Sequence, residues 1–405
     1  MPEIRPIAGH QRFISELVSP LAPVSSAPRT GVVLAAPAIT EVAVPPFSNS
    51  AMDGFLVRTE DLAGLPEPPV TLRVDGDIPA GSGPRTVAPG TAVRIMTGGP
   101  TGEDHDGLRV VPVENTDMTP GPGELPREVT IYEEPKKAHI RPRGDNLRAG
   151  DEVAAAGTLI DAGALAALVS AGITEISYHP APVVAVISSG NELVEPGSEL
   201  SPGLLYDSNK PMVAALAEAN GAGEVHTFHA GDTDAEFEEV LHTATRVADL
   251  VVTTGGVSKG AYDVVKAVGT RLGVWFGPVA MKPGGPQGAG RVDGVPLICL
   301  PGNPVAAYCG FQMFVVPALL KLAGTGDRRG RVVVKTDGQF PPARPHQALL
   351  CPVRVDFAGD IRATPFHRRA TGSHLVGSLS GTNGLAVIEP GSGPEDPVEI
   401  LLTNA

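Results

Sequence analysis

Only three cysteines, Cys299, Cys309 and Cys351, occur in 405 residues. They lie far apart without metal-ligand spacing, so neither a disulfide framework nor a zinc site is expected, and a reducing cytoplasm fits best. Basic residues are also scarce: 31 Lys and Arg stand against 45 Asp and Glu, giving a formal charge of -14. No basic block occurs, which argues against a nucleic-acid partner, because binding a phosphate backbone needs clustered Lys and Arg. The start, MPEIRPIAGHQRFISEL, lacks a charged region followed by an apolar one, and no uninterrupted apolar stretch reaches membrane-spanning length. The expectation is a soluble, cytoplasmic protein without membrane contact. Aromatics make up only 4% of the chain, whereas Gly (49) and Pro (41) are abundant. With apolar content still high, this balance predicts many turns and short strands rather than disorder.

A chain of this length exceeds one ordinary hydrophobic core and suggests roughly two to four domains. Residues 11–18, QRFISELV, begin a helical pattern, and TGVVLAAPAITEVAVPPF reads as extended chain punctuated by prolines. Between residues 48 and 137 the short runs GFLVRT, VTLRVDGDI, TAVRIMTG, LRVVPVEN and REVTIYEE alternate with Gly, Pro and Asp clusters, which predicts a small β domain. Residues 138–179 then carry a glycine-rich polar turn, a helix capped by Asp161 and a closing strand, and are expected to rejoin residues 1–47.

Residues 180–325 repeat strand, polar loop and helix, in PVVAVISSGNEL, DSNKPMVAALAEANGA, FEEVLHTATRVA, ADLVVTTGGVSKGAYDVV and VPLICLPGNPVAAYCGFQMFVVPALLKLAG. Units of this kind build a doubly wound parallel sheet, which binds ligands at the carboxyl ends of its strands. Residues 326–405 return to short strands and turns, a terminal β domain.

The chemistry-bearing loops on the predicted sheet edge are SSGNELVEPG, TTGGVSKGAYD, MKPGGP and PGNPVAAY. Paired glycines with hydroxyls can wrap a phosphate through backbone amides, and Lys282 beside glycines adds a point charge. KPGGPQGAG, residues 282–290, reads either as an anion cradle or as a flexible turn. PGNP reads equally as a plain helix start, with Asn303 at the N-cap and Pro304 at the first helical position. Glu192 and Asp263 are the carboxylates of these loops, a pair suited to a divalent cation beside phosphate. In the β domain, Asp53 and Thr97 sit in turn-like stretches whose side chains also satisfy local amides.

The ordered series AMDGF, RIMTG, RPRGDNLRAGD, SSGNELVEPG, YDSN, TTGGVSKGAYD, MKPGGP, LPGNPVAAY and GSH resembles the molybdopterin molybdenumtransferase family, known as MoeA in bacteria and as the gephyrin E domain in animals. The resemblance implies a segmented N-terminal domain (1–47 and 138–179), an inserted β domain (48–137), a molybdopterin-binding α/β domain (180–325) and a C-terminal β barrel-like domain (326–405). It also implies an elongated homodimer whose cleft combines the α/β domain of one subunit with the inserted domain of the other. The implied activity is Mg2+-dependent insertion of molybdate into adenylylated molybdopterin with release of AMP, in contact with the molybdopterin adenylyltransferase. Carried over by motif, Asp53, Thr97, Glu192, Asp263 and Lys282 are the catalytic positions, with Glu192 and Asp263 as Mg2+ ligands. Gly255, Gly256, Ser258, Pro301, Gly302, Asn303, Pro304 and Ser373 are the substrate-binding positions.

Four positions depart from the family pattern. Ser48 and Asn191 stand where aspartates are usual, Gly285 where a second lysine is usual, and an ungapped comparison puts Cys351 where an oxyanion-binding arginine is usual. Each charge-assisted hydrogen bond lost would cost roughly 1.5–3 kcal/mol. The departures leave open a divergent relative that binds or carries molybdopterin without inserting metal, and, with less support, a scaffold protein.

Overall fold

The computed structural model describes residues 4–103, 105–121, 123–257, 263–335, 339–370 and 372–403. Its centre is a six-stranded sheet in the spatial order Glu224–Ala230, Val183–Ser189, Leu250–Thr254, Val295–Leu300, Pro286–Val292 and Trp275–Pro278. The first four strands are parallel. Their period-2 pattern feeds two cores: Val184 and Val186 join one cluster, Ala185 and Ile187 the other. Helices Asn209–Ala219 and Pro304–Gly310 cover the first face and Asp234–Thr245 and Val264–Arg271 the second, as the repeating units predict.

One strand corrects the expectation of a parallel sheet: Pro286–Val292 runs antiparallel to both of its neighbours, so that Trp275–Pro278, beyond it, again runs in the direction of the first four. Only Asp293 and Gly294 separate Pro286–Val292 from Val295–Leu300, and both have positive φ (51° and 81°). That is a two-residue hairpin of the Asp-Gly kind, too short for a crossover. The same feature shortens the KPGGPQGAG loop, since residues 286–290 are strand and only Pro283, Gly284 and Gly285 form the turn. A Cβ on Gly288 would overlap the Phe276 ring, so this glycine serves close packing rather than an anion.

A long helix, continuous over residues 304–322, closes the repeating units as expected. It is long and apolar enough to cross a membrane, but 83% of that window is buried in the protein. Gly310, Gln312 and Pro317 interrupt its apolar run in sequence. A π turn over Phe311–Val315 precedes Pro317, whose missing N–H and ring clash with residue 313 disfavour regular α geometry.

The N-terminal domain is segmented by an insertion. Strands Val24–Ser26 and Val33–Leu34 flank Ile176–His179, and Ala38–Ile39 pairs with Glu152–Ala154. The Asp161 carboxylate accepts from Ala164 N at 2.8 Å and starts the helix Ala162–Ser170. Between these halves lies a five-stranded sheet (Leu108–Pro112, Gly54–Arg58, Thr91–Ile95, Val70–Ile78, Glu128–Ile131) with a separate apolar core on each face.

The first helix runs Ile7–Leu17, starting before the sequence periodicity shows it. It packs on the long buried helix, where Lys321 Nζ donates to Ser15 O (2.7 Å) and contacts Ser15 Oγ (2.9 Å). The C-terminal sheet contains Arg331–Val334, Ala348–Asp356, Arg362–Pro365, Gly384–Ile388 and Val398–Leu402. Its edge strand Ala348–Asp356 pairs in parallel with Met281–Lys282, a strand contributed by the α/β domain.

Candidate active site

The strand ends meet in a cleft of about 740 Å³. Ser189 and Glu192 come from the first predicted loop, Thr254 to Val257 from the second, Lys282 to Gly284 from the third and Pro301 to Asn303 from the fourth. Gly372, Ser373 and His374 of the C-terminal domain complete the wall. That domain is tied to the fourth loop by a backbone bond from Val305 N to Ser373 O (3.0 Å). The predicted Gly255, Gly256, Pro301, Gly302, Asn303, Ser373, Glu192 and Lys282 thus share one cavity.

Several features suit an anion. Lys282 is exposed on the cleft wall. Backbone N–H groups of Gly256, Gly284, Gly302 and Asn303 have no backbone acceptor among the described residues. Asn303 occupies the N-cap of helix Pro304–Gly310, yet its side chain makes no cap bond. The plain helix-start reading therefore accounts for Pro304, which does not line the cleft, but not for Asn303.

The carboxylates are arranged differently from a compact pair. Glu192 is exposed at the cleft, its carboxylate lying back over Gly190. Asp263 caps the helix Val264–Arg271 by position and does not line the cleft. Among the described residues no group of three or more His, Cys, Asp or Glu forms a metal site. Glu192, the one carboxylate on the cleft wall among the described residues, is nevertheless a hard oxygen donor, the type Mg2+ accepts when substrate phosphates supply the remaining ligands. Ser258 lies outside the described residues.

Asp53 and Thr97 belong to the inserted domain and do not line this cleft. Gly54 starts a strand against Val111, where any Cβ would overlap the Val111 carbonyl, and this fixes Asp53 at the strand entry. Its Oδ1 accepts from Thr97 N (2.6 Å) and Thr97 Oγ1 (2.7 Å), and these bonds, the backbone one foremost, hold the Asp53 carboxyl below its usual range.

The four departures fall in separate surroundings. Ser48 is buried and its Oγ accepts from Arg143 N (3.0 Å), bracing the junction with the inserted domain. Asn191 N donates to Asp232 (3.1 Å), so a carboxylate still adjoins that turn. Gly285 faces a neighbouring hollow beside Arg344 and His346, not the main cleft. Cys351 is fully buried in the core, with its thiol pushed up to about 12 by burial, and does not line the cleft. Among the polar lining residues, the sequence reading did not single out Ser189, Asn209, Thr254 and His374, although Asn209 is the last residue of the quoted YDSN motif.

Residues 5–172 match the MoeA N-terminal region (domain I and II), residues 185–321 a probable molybdopterin binding domain, and residues 334–400 the MoeA C-terminal region (domain IV). Molybdopterin molybdenumtransferase 2 of Mycobacterium tuberculosis is 37% identical over 423 residues, covering 98% of this chain and 97% of that relative. The chain belongs to the molybdopterin molybdenumtransferase family. Within the family, the Haemophilus influenzae molybdopterin molybdenumtransferase is 38% identical over 290 residues, covering 71% of this chain and 69% of its own. The crystal structure of a molybdopterin biosynthesis MoeA protein from Pyrococcus horikosii superposes with a TM-score of 0.79 at 26% identity, covering 100% of both chains. Family membership makes this chain a transferase of molybdenum cofactor biosynthesis, with the multidomain architecture described above.

Proposed function

We propose that the cleft inserts molybdate into adenylylated molybdopterin and releases AMP, with Mg2+ as cofactor. The observation that carries this reading is the convergence, in a single cavity between two domains, of Lys282, Glu192 and loop amides that have no backbone acceptor among the described residues. The loop amides would bind the phosphate oxygens through donors already in place, which costs little reorganisation when charge develops. Lys282 would offset the negative charge that grows as molybdate oxygen attacks and the phosphoanhydride breaks. Little covalent work falls to the protein, so positioning dominates. Glu192, the carboxylate on the cleft wall, would hold Mg2+, whose charge would offset that of the substrate phosphates. Asp53 and Thr97 would enter the cleft from the second subunit of a homodimer. The substrate would arrive from the molybdopterin adenylyltransferase.

The test is AMP release from adenylylated molybdopterin by purified protein with saturating molybdate and Mg2+, followed chromatographically. Release that requires both ions supports the proposal. No release, with pterin binding retained in calorimetry, would instead favour a carrier of molybdopterin.

A further inference from the structure

Two buried side-chain amides outside the predicted site treat its glycine loops in the same way. Asn209, at the start of helix Asn209–Ala219, donates from Nδ2 to Gly302 O at 2.7 Å. Gln287, wholly buried in strand Pro286–Val292, donates from Nε2 to Gly284 O at 2.7 Å. In both residues the other amide atom, Asn209 Oδ1 and Gln287 Oε1, is buried without a partner among the described residues. Both accepting glycines line the cleft, one in the PGNP loop and one in the KPGG turn.

A buried acceptor without a partner destabilises a fold, so an apolar side chain of the same shape would serve stability better at either position. What the amide adds is a hold on one glycine carbonyl. A loop glycine free to turn could present its carbonyl oxygen to a bound phosphate, and oxygen facing oxygen is repulsive. With that carbonyl engaged by an interior amide, the peptide flip is blocked; the Gly302 carbonyl shares its peptide plane with the Asn303 N–H and the Gly284 carbonyl with the Gly285 N–H, and neither N–H has a backbone acceptor among the described residues.

We infer that Asn209 and Gln287 are positioning residues that set the anion selectivity of the cleft, each holding a loop carbonyl back so that the loop amides face the ligand. This rests on the reading of the cleft as a phosphate-binding site. The two amides act on different loops, and each leaves its own oxygen without a partner among the described residues.

The test uses full-length protein, AMP and inorganic phosphate as probes in calorimetric titrations, and thermal unfolding in parallel. Asn209→Leu and Gln287→Met remove the donor and the stranded oxygen together while keeping bulk. The expected result is weaker anion binding, about three- to tenfold for one lost hydrogen bond, at an unchanged or raised melting temperature. A residue with a merely structural role would lower the melting temperature and leave affinity alone, and that outcome overturns the inference. Should Gln287→Met fail to fold, Gln287→Asn, which keeps the amide but shortens its reach, gives the same affinity readout. Wild-type protein that binds neither probe would sink the phosphate-site reading and this inference with it; wild-type binding matched by unchanged variants would sink the inference alone.

Discussion

Lys282 is the cation of the cleft wall, and its contribution is open to direct measurement. One charge-assisted hydrogen bond is worth roughly 1.5–3 kcal/mol, so Lys282→Ala is expected to weaken AMP binding by about ten- to a hundredfold, read by calorimetry. Equal affinity would remove Lys282 from the site. Asp53 tests a different property, because its ionised form is held by two bonds from Thr97. Thr97→Val removes the hydroxyl donor and leaves the backbone donor, so the Asp53 carboxyl is expected to titrate at higher pH in the variant, by carbon-detected NMR. The sign follows from a depressed folded-state value: the stabilisation is present above the unfolded carboxylate range and disappears as pH falls through the folded one. An unmoved titration would mean that the backbone bond alone governs Asp53.

Within single elements, the N-terminal helix carries the clearest pH signature. His10 is fully buried against Phe314 and Trp275, and Arg5 Nη1 lies 3.4 Å from its Nδ1. Arginine can only donate, so the ring accepts there and carries its proton on Nε2, which has no partner among the described residues. Burial foremost, with the Arg5 charge, lowers the His10 value from 6.5 to about 3. The unfolded chain therefore binds a proton below pH 6.5 that the folded chain refuses until about pH 3. Stability is expected to fall by about 1.4 kcal/mol per pH unit across that window. Denaturant melts of His10→Leu should show a shallower acid slope than wild type; equal slopes would assign the acid loss to other groups. The elements themselves differ in how far sequence reveals them. Apolar repeats such as VVAVISS and LVVTT, and the Asp161 cap, are visible because burial alternation and capping are local. The antiparallel hairpin was also written in the sequence, as Asp-Gly between apolar strands, but the surrounding βα repeats argue for parallel pairing. Gly288 looks like a loop glycine until Phe276 is seen above it, and the role of Asn209 is hidden because its partner Gly302 lies 93 residues away, whereas Gln287 reaches Gly284 within its own stretch but is masked by an apolar strand pattern.

For the whole molecule, the motifs specify the loops while their meeting depends on topology. Four loops and the GSH turn converge because parallel strands share one end and because the C-terminal domain folds back on that end. Asp53 and Thr97 remain outside it, which motivates a shared cleft in a homodimer. Mixing inactive Asp53→Ala and Lys282→Ala proteins after dissociation and reassembly is expected to restore about a quarter of wild-type AMP release, since half of the dimers are mixed and each holds one intact cleft. Zero recovery would place both residues in a cleft of a single subunit.

The strand Met281–Lys282 fills the open edge of the C-terminal sheet beside Ala348–Asp356. Strand pairing therefore joins the two domains in addition to the connecting chain. A protease nick in the connector between Gly324 and Gly330 is expected to yield two fragments that co-elute in gel filtration and separate only in denaturant, and separation without denaturant would show that the strand pairing is too weak to hold them. Expression of either half by itself would leave an unpaired strand edge exposed, the surface through which sheet proteins aggregate, so these two domains behave in handling as one indivisible body.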